Sequence, residues 1–338
     1  MSALNGYRNS RISNKGLAVA VVCVAATVAL LLAGLFLLRN WEEGYSHAPV
    51  ESVEAEESLT YYDGAWYRKR DDVETVLLIG IDKAAVDKTM DVQGVYEQSD
   101  FLMLLVIDKA AQSSVVLHIN RDTMTEVQML TDSGRVEGRA TLQITLAHTF
   151  GGQPEIRCRN AVTAVSNLLY GVDVDHYISL AMDGVAVLND LVGGVTLEVM
   201  DDFPGTDWVK GKTVTLMGQE ALTYVRARRN MEDSSNIRRM ERQRQYLEAL
   251  QDQLLAQMDG GQEFTTSALM ELNDYLVTNC SVEQLSRLAD TMKECGETEY
   301  RSLEGEAEEV DGFMQFHVDE DALQRTVMEL FYEKVRED

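Results

Sequence analysis

The chain has 338 residues, 45% of them hydrophobic, enough to bury the core of one large domain or two small ones. Its 56 acidic residues against 30 lysines and arginines give a formal net charge of −26. That balance opposes a nucleic-acid partner, because binding to a phosphate backbone needs a basic face.

Residues 1–15 carry Arg8, Arg11 and Lys15 as their only charges, and the 23 residues from Gly16 to Leu38 carry none. At about 1.5 Å per helical residue such a run spans a hydrocarbon core of about 30 Å, so 16–38 is predicted to be a transmembrane signal-anchor helix. A cleaved signal peptide is the alternative. The run exceeds the usual ~7–15 apolar residues of such peptides, however, and no small-x-small site follows before Arg39 and Trp41. The acidic WEEGYSHAPVESVEAEESL behind the run sets the orientation through the positive-inside bias. Residues 1–15 become a cytoplasmic tail of a single-pass membrane protein, and everything after the span lies outside. Residues 39–73 are acidic, poor in aliphatic residues and without periodicity, and read as an extracellular stalk.

The folded domain is expected over 74–338. TVLLIG, ending in Gly80 and followed by Asp82, reads as a buried strand running into a loop. FLMLLVI (101–107) and SVVLHIN (114–120) are two further strands, joined by a connection short enough for an antiparallel hairpin. Such a hairpin places Asp100 and the pair Arg121–Asp122 at one sheet edge. If the first strand runs parallel to the third, Asp82 arrives there too. HYISLAM (176–182) and VTLEVM (195–200) flank a short helix closed by Gly193 and Gly194. From Ile237 to Met258 the apolar positions recur at helical spacing, with Gly260 and Gly261 as the stop. On that helix Arg239, Arg242 and Gln243 share one face bordering the apolar stripe. SVEQLSRLADTM and DEDALQRTVMELFYEKV read as further helices. The alternation gives an α/β fold. Three cysteines lie beyond the span, Cys158, Cys280 and Cys295, without metal-ligand spacing; the sequence permits but does not imply a Cys280–Cys295 bridge.

The segment YVRARRNMEDSSNIRRMERQRQYL (224–247) holds seven arginines, no lysine and three acidic residues. A solvated helix face is the plain reading of such a run. Solubility alone has no preference for guanidinium over ammonium, whereas bidentate phosphate recognition does. A charged face bordering a core also needs an anionic partner, so a phosphate or pyrophosphate ligand accounts for the run. Other motifs fail. GTDWVKGKT (205–213) separates its glycines by five residues where a P-loop needs four; the five histidines lack HExxH spacing; and there is no GxSxG and no GxGxxG after a strand. Of the histidines, His118 reads as packed within a strand and His148 falls near the proposed site.

Taken in order, LLIGID, QSDFLMLLVID, HINRDT, ITLAHTFGG, MDGVAVLNDLVGGV, GQEALTYVRAR, RRMERQRQYL and LEGEAEEVDGFMQFHVDEDALQ resemble the LytR-CpsA-Psr proteins, membrane-anchored enzymes of Gram-positive cell walls. The resemblance covers roughly residues 75–335. It implies a single domain with a central mixed β-sheet flanked by helices, behind one transmembrane helix. The implied activity is a phosphotransferase that moves a glycopolymer of teichoic acid or capsule type from polyprenyl pyrophosphate to a muramyl 6-hydroxyl of peptidoglycan. By the same resemblance Asp82 and Asp100 hold Mg²⁺, for which Mn²⁺ can substitute, and Arg121, Arg226, Arg228, Arg239, Arg242 and Gln243 hold the pyrophosphate. Asp122 is either a general base or the group that orients Arg121. An apolar groove beside the site is expected for the lipid tail, and no feature points to a particular oligomeric state. The chain departs from the family pattern at Gln98, where an arginine is usual, and after Asp82, where only Lys83 and then Ala84 follow. Asn120 replaces a proline, and Gln143 and Thr145 replace a lysine and an asparagine. These departures keep a second reading open, that of a non-catalytic surface module binding lipid-linked phosphates or wall polymer.

Overall fold

The computed structural model describes residues 59–82, 97–227, 236–258 and 262–337. The expected anchor at 16–38, the stalk up to residue 58, Lys83, Arg228, Gly260 and Gly261 lie outside the described residues. Among the described residues no helix is long and apolar enough to cross a membrane.

Regular structure begins inside the stretch read as stalk. Strands β1 (Thr60–Tyr62) and β2 (Ala65–Lys69) form an antiparallel hairpin whose two turn residues, Asp63 and Gly64, both have positive φ, 42° and 76°. An Asp-Gly turn of this kind matches the right-handed twist of the flanking strands. The segment escaped periodicity because its strands are short and largely exposed.

The central sheet follows. Strand β3 (Val73–Ile81) pairs antiparallel with β4 (Ser99–Asp108), and β4 antiparallel with β5 (Ser113–Ile119), so β3 and β5 point the same way, as the placement of Asp82 required. A hairpin of β6 (Met124–Leu130) and β7 (Val136–Gln143) leads through a short 3₁₀ turn at Ile144–Thr149 into helix α1 (Pro154–Leu168). Strand β8 (His176–Ala181) joins β3 in parallel, and α2 (Met182–Leu191) follows it directly. The β9 (Val195–Glu198) and β10 (Thr213–Leu216) pair precedes α3 (Gln219–Arg226) and the long α4 (Asn236–Gln257). Helix α5 (Gln262–Glu271), β11 (Leu276–Thr278), α6 (Val282–Cys295) and β12 (Thr298–Ser302) complete the sheet, in the order β11-β8-β3-β4-β5-β12. The hairpin β13 (Gly305–Val310) and β14 (Phe313–Val318), α7 (Glu320–Phe331) and β15 (Tyr332–Glu337) close the chain.

Both faces of this mixed sheet are covered, which is why its central strands read as continuous apolar runs. Alternation along β3 sends Leu77, Ile79 and Ile81 into a core with Cys158, Ala161 and Val165 of α1 and Leu323, Val327 and Phe331 of α7. Its other residues, Val76 and Leu78, face Leu288 and Met292 of α6. One further correction applies, and one open question closes. The YEKV segment, expected as helix, belongs to β15, which pairs with β2. Cys280 and Cys295 are both free thiols, so no bridge joins them.

Candidate active site

The C-terminal ends of β3 and β5 and the start of β4 meet at one edge of the sheet, and the expected acids converge there. Arg121, just past β5, donates from Nη1 to Oδ1 of Asp100 and, at 2.8 Å, from Nη2 to Oε1 of Gln98. Its Nε lies 3.4 Å from Oδ1 of Asp122. Asp122 is itself held: its backbone N–H donates to the Asn120 side chain at 3.0 Å, and Gln143 Nε2 donates both to Asp122 Oδ1 at 3.1 Å and to the Met314 carbonyl at 2.6 Å. Two departures from the family pattern, Gln98 and Gln143, thus act as neutral partners of the charged side chains of Arg121 and Asp122. Asp122 faces the guanidinium of Arg121, which fits an orienting role.

The arginine run divides. Helix α3 brings Arg226 within 2.7 Å of Asp82, and each side chain of this pair is 47% exposed. The first two turns of α4 bring Arg239, buried, to 3.9 Å from Asp100 Oδ2, and the buried Gln243, whose amide reaches the Val225 carbonyl at 3.4 Å. Arg242 does not join them. It is fully buried and donates to Asp201 at 2.7 Å and to the Ala227 carbonyl, with its guanidinium 5.9 Å from the centre of the Phe203 ring. Sequence spacing placed Arg242 with Arg239 and Gln243 because all three lie within five residues of helix. The one-residue offset turns it toward Asp201, and it does not line the cleft. His148 and His118 do not line the cleft. His148 is buried against Cys158 and the Glu97 carbonyl, and burial pushes it down to about 4; burial pushes His118 to about 3, with the charges of Arg239 and Arg244 in support.

Two cavities meet at this edge. A cleft of about 740 Å³ is lined by Asp82, Asp100, Arg226, Arg239 and Gln243, with Phe203, Pro204, Thr206 and Thr223 on the opposite side. Behind it, between the sheet and helices α4 to α6, lies an almost wholly apolar cavity of about 360 Å³ whose walls include Leu78, Ile178, Leu250, Leu269 and Ala289. Met182, Val225 and Gln243 line both, so the polar cleft and the apolar cavity adjoin at these three residues.

The donor chemistry suits a hard divalent cation. Two carboxylates line one cleft, and Mg²⁺ is usually bound through one or two carboxylates together with substrate phosphates and water. Among the described residues no group of three or more histidine, cysteine, aspartate or glutamate side chains gathers to close a shell without a ligand. Substrate oxygens would complete it.

A model of the LytR-CpsA-Psr family matches residues 42–331. The chain belongs to this family. Relatives include the polyisoprenyl-teichoic acid–peptidoglycan teichoic acid transferase TagU of Halalkalibacterium halodurans, 29% identical over 239 residues, spanning 69% of this chain and 70% of the relative. The TagU of Enterococcus faecalis is 27% identical over 261 residues, spanning 76% and 78%. Among solved structures, Bacillus subtilis TagV superposes with a TM-score of 0.58 at 24% identity, over 77% of this chain and 97% of that one. TagT bound to LI-WTA gives 0.58 at 22%, over 81% and 94%. The structural likenesses establish the LytR-CpsA-Psr fold, and the family match bears out the resemblance carried by the motifs.

Within this LytR-CpsA-Psr domain, sequence reasoning passed over the loop after β9. Its Phe203, Pro204 and Thr206 form one wall of the cleft, and its Asp201 takes the arginines left over from the site. The Asp-Asp-Phe-Pro-Gly run was a legible turn signal, but nothing local tied that turn to α4, about 40 residues away.

Proposed function

We propose that this protein is a membrane-anchored, Mg²⁺-dependent phosphotransferase that moves a glycopolymer of teichoic acid or capsule type from polyprenyl pyrophosphate to peptidoglycan. It would be anchored by residues 16–38, with residues 74–338 on the outer side of the cell membrane. The observation that carries the reading is the adjacency of the two cavities: a charged cleft suited to a diphosphate shares three wall residues with an apolar cavity suited to a prenyl tail. The names of the TagU relatives describe the same chemistry.

In this reading the cleft arginines exchange partners when the ligand enters. Arg226 and Arg239 turn from Asp82 and Asp100 to phosphate oxygens; Asp82 and Asp100, the latter still bonded to Arg121, would hold a divalent cation, which would supply positive charge to the departing prenyl phosphate. Arg121, fixed by Asp100, Gln98 and Asp122, supports the phosphorus that is attacked. The acceptor hydroxyl oxygen bonds to the phosphorus attached to the sugar, the bridging P–O bond breaks, and polyprenyl phosphate leaves. The hydroxyl proton passes to solvent or to Asp122. Phosphoryl transfer relies on positioning and dispersed positive charge more than on a protein nucleophile, which suits a cleft lined, among the described residues, by no serine, cysteine or histidine.

The second reading, a module that binds lipid-linked phosphate without turnover, draws on Gln98 and Gln143 at positions where the family uses basic residues. Full-length protein in detergent, given Mg²⁺, a prenyl-pyrophosphate-linked saccharide and peptidoglycan, separates the two. Release of prenyl phosphate with label transferred to the wall polymer is expected. Tight binding without release would leave only the second reading.

A further inference from the structure

Helix α4 begins with two interleaved polar pairs. Arg239 and Gln243, four residues apart, face the cleft; Arg238 and Arg242, also four apart, are turned by one residue, about 100°, and face the loop after β9. The second pair shares one carboxylate. Arg238 Nε donates to Asp201 Oδ1 at 2.8 Å, and Arg242 Nη1 donates to Asp201 Oδ2 at 2.7 Å. Both guanidiniums also reach backbone carbonyls: Arg238 that of Met200 at 2.8 Å, and Arg242 that of Ala227. None of Asp201, Arg238 and Arg242 lines the cleft, yet each is next to something that does. Asp201 precedes Phe203 and Pro204 by two or three residues, Ala227 follows Arg226, and Arg238 and Arg242 flank Arg239 and Gln243.

One carboxylate therefore joins three walls of the cleft. Phe203 packs under Arg242 and stacks on Tyr224 of α3, ring centroids 5.2 Å apart and planes 17° apart, so the three walls share a rigid base. The apolar anchors of α4, Tyr246 and Leu250, come one to three turns later, so its first turns depend on the ionic ties. Burial pushes the Asp201 carboxyl up, but its bonds to Arg238 and then Arg242 outweigh that and hold it below the ordinary carboxylate range.

We infer that Asp201 is a positioning residue for diphosphate binding: by clamping Arg238 and Arg242 it sets where Arg239 and Gln243 stand on the cleft wall. The inference rests on the reading of the cleft as a diphosphate site. Breaking the clamp leaves Arg239 present but free to swing with the first turn of α4, and misplacement by about 1 Å in such a site is enough to lose much of its grip.

The test is a double-mutant cycle on the full-length protein in detergent, with farnesyl pyrophosphate and Mg²⁺ as the titrant. Asp201→Asn keeps an acceptor oxygen but loses the charge, and is expected to weaken binding roughly tenfold. In the Arg239→Ala background the same change is expected to add little, because the group it positions has gone. A residue that supported only the fold would weaken both backgrounds by the same factor, and that outcome overturns the inference, as does an unchanged dissociation constant in Asp201→Asn. Far-UV circular dichroism checks each variant. If Asp201→Asn does not fold, Arg238→Gln, which leaves Arg242 on Asp201, carries the same cycle with the same outcomes. Failure of the wild type to bind the titrant removes the diphosphate reading and this inference together, whereas wild-type binding with additive losses removes the inference alone.

Discussion

The division of the arginine run is tested most directly by truncating Arg226 and Arg242 side by side. Arg242 is fully buried, and Arg242→Ala strips a charged partner from Asp201, leaves the Ala227 carbonyl without its guanidinium and opens space beside Phe203. Removing one partner of a buried pair costs about 3–5 kcal/mol; Asp201 keeps Arg238, which puts the expected loss near the lower end, about 3 kcal/mol. At roughly 2–4 °C per kcal/mol for a domain of this size, Tm should fall by roughly 6–12 °C. The Arg226–Asp82 pair is 47% exposed on both sides, where an ion pair contributes about 0–1 kcal/mol, so Arg226→Ala should shift Tm by no more than about 4 °C. Its effect belongs to the ligand: loss of one charge-assisted contact of about 1.5–3 kcal/mol should weaken binding of a prenyl pyrophosphate roughly 10- to 150-fold. Thermal unfolding by circular dichroism and titration calorimetry on the same preparations give both numbers. If Arg226→Ala unfolds earlier than Arg242→Ala, or if it binds prenyl pyrophosphate as the wild type does, the assignment of Arg226 to the ligand and Arg242 to the fold is wrong.

Three other outcomes are expected. Asp82→Asn should flatten the Mg²⁺ dependence of prenyl-pyrophosphate binding, and an unaltered Mg²⁺ titration would remove Asp82 as a ligand. Ala289→Phe, on the wall of the apolar cavity, should weaken binding of long prenyl pyrophosphates while leaving inorganic pyrophosphate unaffected; equal losses for both would separate the cavity from the lipid. His148 is buried neutral, with its pKa pushed down to about 4 in the folded state, so the unfolded chain takes up the proton first. Its contribution is therefore present above about pH 6.5 and is lost as pH falls toward 4, up to about 3 kcal/mol. His148→Gln should reduce the fall in Tm across that window, and an identical pH profile would refute the assignment.

The central part of the fold was legible because its strands are buried on both faces and carry that burial in their composition. The convergence of Asp82, Asp100 and Arg121 followed from strand direction alone, before any contact was known. What escaped was exposed or long-range. Strands β1, β13 and β15 are mostly exposed and polar, so no periodicity marks them. Yet the Asp63–Gly64 and Asp311–Gly312 turns, each with two positive φ values, were present as local Asp-Gly signals and would have placed two hairpins. Arg242 shows the opposite failure. A rule that equates arginine with phosphate fits Arg226 and Arg239, but the carboxylate that claims Arg242 sits 41 residues earlier in the chain, where no pattern links the two.

The electrostatics of the cleft support the proposed cation. Among the described residues Arg121, Arg226 and Arg239 supply three positive charges, and Asp82, Asp100 and Asp122 supply three negative ones. Gln98 and Gln143, where basic residues are usual in the family, leave that balance at zero, inside a chain whose formal net charge is −26. These six side chains supply no net field to draw in a diphosphate diester, and a ligand that turned Arg226 from Asp82 and Arg239 from Asp100 would leave Asp82 without that arginine and Asp100 with Arg121 alone. A divalent cation held by Asp82 and Asp100 would offset both: its two charges would cancel those of the ligand, and Asp82 would gain a partner as Arg226 changed its own. The proposed reading therefore predicts that cation and diphosphate bind with strong mutual dependence.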